Sequence, residues 1–169
     1  NGSEGTKPEE TPSYFFPWAG QLISRSDFKK DAQWSFFDVG PWGSGHQHND
    51  KLHLSVHAYE QDFLVDAGRF AYTGATAEKY RTYARGSQGH NTILIDSKGQ
   101  RSGPKLAKEP LSKKYYRITE NWDYASQSFD SYDGLIGKAK HKRSLLYLRD
   151  DFWVIVDRIE TDRPRNIDI

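Results

Sequence analysis

A chain of 169 residues without a single cysteine can bury one sizeable core, but it has no disulfide framework and no thiolate metal site. Its 24 basic residues against 23 acidic leave a formal charge of +1, so no global field points to nucleic acid or an anionic membrane. No apolar run approaches the ~20 residues of a membrane span, and an aromatic content of 14% with 14 Gly is β-like.

Residues 1–12 (NGSEGTKPEETP) are polar, carry two Pro and read as a linker or tail. The folded domain is expected over 13–169, entered through the aromatic stretch Tyr14-Phe15-Phe16-Pro17-Trp18. Strands are predicted at Gln21–Ser24, Trp34–Val39, Leu52–Tyr59 and Phe63–Val65, with Glu60-Gln61-Asp62 as the turn before the last of these. In Leu52–Tyr59 one face holds Leu52, Leu54, Val56 and Ala58. The other holds His53, Ser55, His57 and Tyr59, which makes His53 and His57 surface residues. Ala77, Tyr80 and Ala84 set one short helix over Ala75–Arg85. Further strands follow at Thr92–Asp96, Tyr115–Glu120, Tyr124–Phe129, Lys138–Leu148 and Phe152–Ile159, the last pair joined tightly by Arg149-Asp150-Asp151. Short strands punctuated by turns predict an all-β, antiparallel β-sandwich. The absence of Met even at position 1 suggests an excised piece, and the alternation beginning at Arg165 stops at Ile169 as though cut inside a strand.

Three short motifs carry the chemistry. Gly45-His46-Gln47-His48-Asn49-Asp50 places two imidazoles and a carboxylate within five residues. Val65-Asp66-Ala67-Gly68 and Gly89-His90-Asn91-Thr92 each sit at a strand end. Extending the pleat back from Leu52 turns Asp50, His48 and His46 inward, unless Asn49-Asp50-Lys51 breaks the phase. Inward imidazoles need partners, and a divalent metal held by His48, Asp66 and His90 would be one. From spacing alone, histidines bonding the neighbouring loops remain the simpler reading, with Asp66 in an Asx-turn closed by Gly68 and His90 a turn residue. Tyr72 and Tyr80 lie between the proposed ligands, where a phenol could transfer a proton or simply pack. Residues 98–117 carry seven basic residues and one Glu, a local +6, so Arg101 and Lys105 are candidate contacts for an acidic glycan; a solvated face is the plainer alternative. Arg81 and Trp42 join them as candidate substrate contacts, whereas His141, set among Lys138, Lys140, Lys142 and Arg143, carries no functional weight.

In order and spacing these motifs resemble the heparinase II/III-like polysaccharide lyases. With them go Leu64, Tyr72, His90-Asn91-Thr92-Ile93-Leu94-Ile95-Asp96, Lys142-Arg143-Ser144-Leu145-Leu146-Tyr147 and Trp153-Val154-Ile155-Val156-Asp157. The resemblance is to the C-terminal β-sheet domain of that family, from about Phe16 onward. It implies a parent enzyme in which a helical toroid precedes this domain and an acidic polysaccharide lies between them. Cleavage is then by β-elimination at a uronate, with heparan sulfate-like or alginate-like substrates. The resemblance assigns His46 to the cleft, with Tyr72 as a second catalytic candidate. It gives His48, Asp66 and His90 a structural zinc, implies a periplasmic or secreted bacterial protein, and leaves the fragment alone without activity. The rival readings are a non-catalytic carbohydrate-binding or scaffold module, with Trp42 as a stacking platform, and a metal-dependent hydrolase.

Overall fold

In the computed structural model, residues 11–43, 45–103 and 106–169 are described; most of the expected linker and Lys105 lie outside them. The first sheet is an antiparallel meander of β1 (Tyr14–Phe16), β2 (Gln21–Arg25), β3 (Trp34–Asp38), β4 (Leu54–Ala58) and β5 (Gln61–Leu64), in that order. After β5 come α1 (Ala75–Arg85) and β6 (Leu94–Ile95). The second sheet runs β10–β9–β8–β7, built from β7 (Tyr116–Ile118), β8 (Trp122–Phe129), β9 (Ala139–Leu148) and β10 (Trp153–Thr161). A two-stranded pair joins β6 to β11 (Ile167–Asp168).

The two sheets face each other across one core. Leu22, Phe37, Val39, Leu52, Leu54 and Val56 come from the first sheet and its loops, and Ala125 and Leu145 from the second. Period-two alternation puts them there: β9 buries Ala139, His141, Arg143, Leu145 and Tyr147 and turns the residues between them outward. Polar links also cross the gap. The Tyr147 hydroxyl donates to Gln33 Oε1 at 2.8 Å, and the Trp153 indole N–H donates to Ser35 Oγ at 3.0 Å. Arg149 bonds Asp123 and Thr119 O on one side and Ser13 and Arg25 O on the other. The antiparallel β-sandwich and its single short helix are therefore as the sequence patterns predict.

Close backbone approach replaces side chains where the 19–20 turn meets residue 40. A Cβ on Gly40 would sit 1.7 Å from Ala19 O, and one on Gly20 would sit 2.1 Å from Gly40 Cα. Phe152, just before β10, and Val154, Ile155 and Val156 on it are exposed, and the outer edge of this strand has no partner among the described residues.

Four expectations need correction. The strand predicted from Leu52 starts only at Leu54, because Leu52 is left-handed (φ 68°) and His53 N–H turns back to Asp50 O. The inward phase drawn back through His48 and His46 is therefore lost. The turn before β5 is Tyr59-Glu60, both left-handed, so Gln61 and Asp62 already belong to the strand. Thr92–Asp96 shrinks to two paired residues, since Asp96 and Ser97 form a left-handed turn. His53 and His141, read as surface or uninformative, are buried at 1% and 0% exposure.

Candidate functional site

Three connections converge at one end of the first sheet: residues 39–53 between β3 and β4, residues 65–74 after β5, and residues 86–93 after α1. Their backbones are stitched to one another. Asn49 N–H donates to Arg85 O at 2.9 Å, and Ser87 Oγ donates to Asn49 O at 2.7 Å. The Asn91 amide donates to Leu54 O and Val65 O, both at 2.9 Å. Arg143, reaching up from β9, donates from Nη1 to Leu52 O at 2.8 Å and to Asn91 O at 2.6 Å, while Asp157 holds its other side at 2.7 and 3.0 Å. Asp157 also accepts from His141 at 2.6 Å. The loops thus rest on a buried charge network in the second sheet.

On this support, Asp66 and His90 meet. Asp66 Oδ2 lies 3.1 Å from His90 Nδ1 and 3.3 Å from His53 Nε2, while Oδ1 accepts the N–H of Gly68, whose φ of 61° closes an Asx-turn. Burial opposes ionisation of Asp66, but the hydrogen bonds from His90 and Gly68 prevail and bring its carboxyl down to about 2. The Asn91 N–H donates to His53 Nδ1 at 3.0 Å, so the ring hydrogen is on Nε2, 2.8 Å from Ser55 Oγ. Burial lowers His53 to about 4 and also lowers His48. His48 and His90 have ring centroids 5.2 Å apart.

His90 belongs to two possible donor groups, His48–Asp50–His90 and His53–Asp66–His90, with the ligand atoms of each within 4.8 Å of one another. Its Nε2 is buried without a hydrogen-bond partner. An orphaned imidazole nitrogen beside a second imidazole and a carboxylate suits a divalent ion such as zinc. In the first group His90 offers this nitrogen, which has no partner among the described residues. In the second, His53 already uses Nδ1 as an acceptor and Nε2 as a donor. The trio expected from the sequence, His48, Asp66 and His90, is thus split: Asp66 takes His90 Nδ1, and Asp50 is grouped with His48.

A cavity of about 630 Å³ opens over these residues, lined among others by His46, His48, Asp50, Asp66, Asp38 and Trp42. His46 is exposed at its rim, its ring 5.9 Å from that of Tyr72 in an edge-on contact, and the Arg69 guanidinium lies 4.3 Å over the other partner, Tyr72. Trp42 is fixed by its indole N–H to Asn49 Oδ1 at 2.8 Å. Arg81 donates to Ala71 O and Tyr72 O, whereas Arg101 stands 3.7 Å from Asp133 on an exposed surface. Sequence reasoning missed Asp38, the terminal residue of β3 at the cavity floor. Burial, then the charge of Asp50, pushes its carboxyl up to about 8. An Asp closing an aromatic strand before Val39-Gly40-Pro41 was the available signal.

Residues 8–169 match the family model described as heparinase II/III-like, C-terminal. Among curated relatives, the chain is 24% identical over 172 residues to a heparin-sulfate lyase of Bacteroides stercoris, covering 100% of this chain and 24% of that protein. It is 25% identical over 152 residues to a heparin-sulfate lyase of Pedobacter heparinus, covering 89% and 22%. In fold it resembles the crystal structure of the heparan sulfate lyase HepC from Pedobacter heparinus, with a TM-score of 0.78 at 23% identity over 98% of this chain and 24% of that one. A heparinase III structure gives a TM-score of 0.68 at 20% identity, covering 90% and 23%. The chain therefore spans about a quarter of the length of these relatives, and it belongs to the heparinase II/III-like family, as a C-terminal domain of that family.

Proposed function

We propose that this chain is the β domain of a polysaccharide lyase acting on a uronate-containing glycosaminoglycan of the heparan sulfate class, and that His46 and Tyr72 face the reacting sugar. The observation that carries this is the edge-on contact of Tyr72 with His46, which lines the cavity shared with His48, Asp50 and Asp66, in a chain homologous to proteins named heparin-sulfate lyases. β-Elimination removes the C5 proton of the uronate; its electron pair forms the C4=C5 double bond, the C4–O4 bond breaks, and O4 takes up a proton. An imidazole and a phenol in contact are suited to proton transfer at C5 or O4 and to hydrogen bonding the uronate carboxylate. The remaining acid–base groups belong, on this reading, to a helical domain of the parent protein, and the natural setting is periplasmic or extracellular, where such polymers occur.

Zinc would be held by His48 and His90 with an aspartate, Asp66 by the family resemblance or Asp50 by the present grouping, and when bound it would supply structural rigidity. Asp66 on His90 Nδ1 braces that ring in either case. Heparan sulfate incubated with this domain joined to the helical portion should yield ultraviolet-absorbing unsaturated ends, and His46→Ala should abolish most of that signal. Failure of the joined protein to produce them would remove the lyase reading. Robust turnover by the 169 residues alone would remove the division of labour.

A further inference from the structure

A second cleft, of about 620 Å³, lies on the far side of Trp42 and Gln47 from the histidine cavity, and these two residues form the wall between them. Its cations are Arg81 and Arg85, one turn apart on α1 and so on the same helix face, and Lys98 from the turn after β6. Both guanidinium groups are already oriented. Arg81 donates to Ala71 O at 2.8 Å and Tyr72 O at 2.6 Å; Arg85 donates twice to Gln47 O, at 3.2 and 2.8 Å. Each is held through Nε and Nη2, which leaves Nη1 with no partner among the described residues.

Among the described residues none of these three cations pairs with a carboxylate, although Arg143, Arg149, Arg158, Arg163 and Arg165 all do. The one carboxylate among the described residues lining the cleft, Asp133, has Arg101 3.7 Å away. Three uncompensated cations, two of them immobilised by backbone carbonyls in a polar concavity, form a preorganised anion receptor. The fixed indole of Trp42 beside it offers a flat apolar face to a sugar ring.

We propose that this cleft is an anion subsite that takes a sulfate or carboxylate substituent of an acidic oligosaccharide, one whose neighbouring sugar crosses Trp42 into the histidine cavity. It rests on the glycan reading above and adds to it a second point of attachment. Lys98 is exposed and makes no side-chain bond among the described residues, so Lys98→Glu tests the cleft without disturbing the fold, and a thermal melt checks that. Binding of a sulfated heparin tetrasaccharide, a fully desulfated counterpart and inorganic sulfate would be measured by calorimetry on the intact chain. Reversing one charge in such a receptor should weaken the sulfated tetrasaccharide about tenfold or more. Loss of affinity on desulfation assigns the cleft to sulfate, and retained affinity that still depends on Lys98 assigns it to carboxylate. Binding that is indifferent to Lys98→Glu overturns the subsite. So does an absence of binding, while the lyase reading is judged separately by the unsaturated ends.

Discussion

Replacing Asp157 with Asn tests how the loops of the candidate site are supported. The carboxylate bonds both Arg143 and His141, which are 6% and 0% exposed, so its neutralisation strands a buried guanidinium beneath the site. Burial alone would raise this carboxyl, but the bonds from His141 and Arg143 bring it from 3.8 to about 2, a displacement equivalent to ~2–3 kcal/mol. Breaking a buried pair costs ~3–5 kcal/mol; the Asp157 side chain retains 25% exposure, so the lower value of ~2–3 kcal/mol applies. In a chain of this size that corresponds to a melting point lower by ~4–12 °C. Because the carboxyl is depressed in the fold, its contribution is complete above about pH 4 and fades as the pH falls through 2. Urea unfolding followed by tryptophan emission should therefore separate Asp157→Asn from the parent at pH 7, with the gap narrowing toward pH 2. Midpoints that coincide at pH 7, or a gap that does not depend on acid, would refute the reasoning.

Asp38 should behave in the opposite sense. Its carboxyl is raised to about 8, so the stability it contributes is present below 3.8 and is lost as the pH rises through 8. Asp38→Asn keeps an acceptor for the Gly40 N–H and should be the more stable protein near pH 8.5 by ~1–2 kcal/mol, as read by denaturant titration. Gly40→Ala should cost at least ~2 kcal/mol in a thermal melt, since its Cβ would collide with Ala19 O. Leu145→Ala should cost ~2–5 kcal/mol, whereas the same change at the outward-facing Leu146 should cost less than ~1 kcal/mol. Zinc bound at the proposed site should leave a stoichiometric signal in elemental analysis of protein purified without chelator, and His90→Ala should remove it.

The architecture was legible because local rules agree with the packing. The helix expected at Ala75–Arg85 occupies those residues, and the tight connection expected at Arg149-Asp150-Asp151 joins β9 to its antiparallel partner β10. The site was harder. His53 alternates with core leucines, so a pattern of two assigns it to water. In the fold that face is roofed by the loop carrying Asn91 and His90, a contact 37 to 38 residues distant that no local period encodes. His141 hides among lysines for a similar reason: the adjacent Lys140 and Lys142 point outward while Asp157 meets it from the next strand. The sequence groups Asp66 and His90 around a shared metal, whereas the fold joins them by a direct hydrogen bond, and the position of Asp50 depended on the left-handed turn at Leu52, which β propensity gives no reason to expect.

The uncovered margin of β10 has a practical cost for anyone handling this domain. Phe152-Trp153-Val154-Ile155-Val156 is an uncharged, strongly β-forming window, and its backbone can template pairing with another molecule. Only from Asp157, Arg158 and Glu160 onward do charges interrupt it. Self-association in concentrated samples should therefore start at residues 152–156, and a lysine placed at Ile155 would act as the missing gatekeeper.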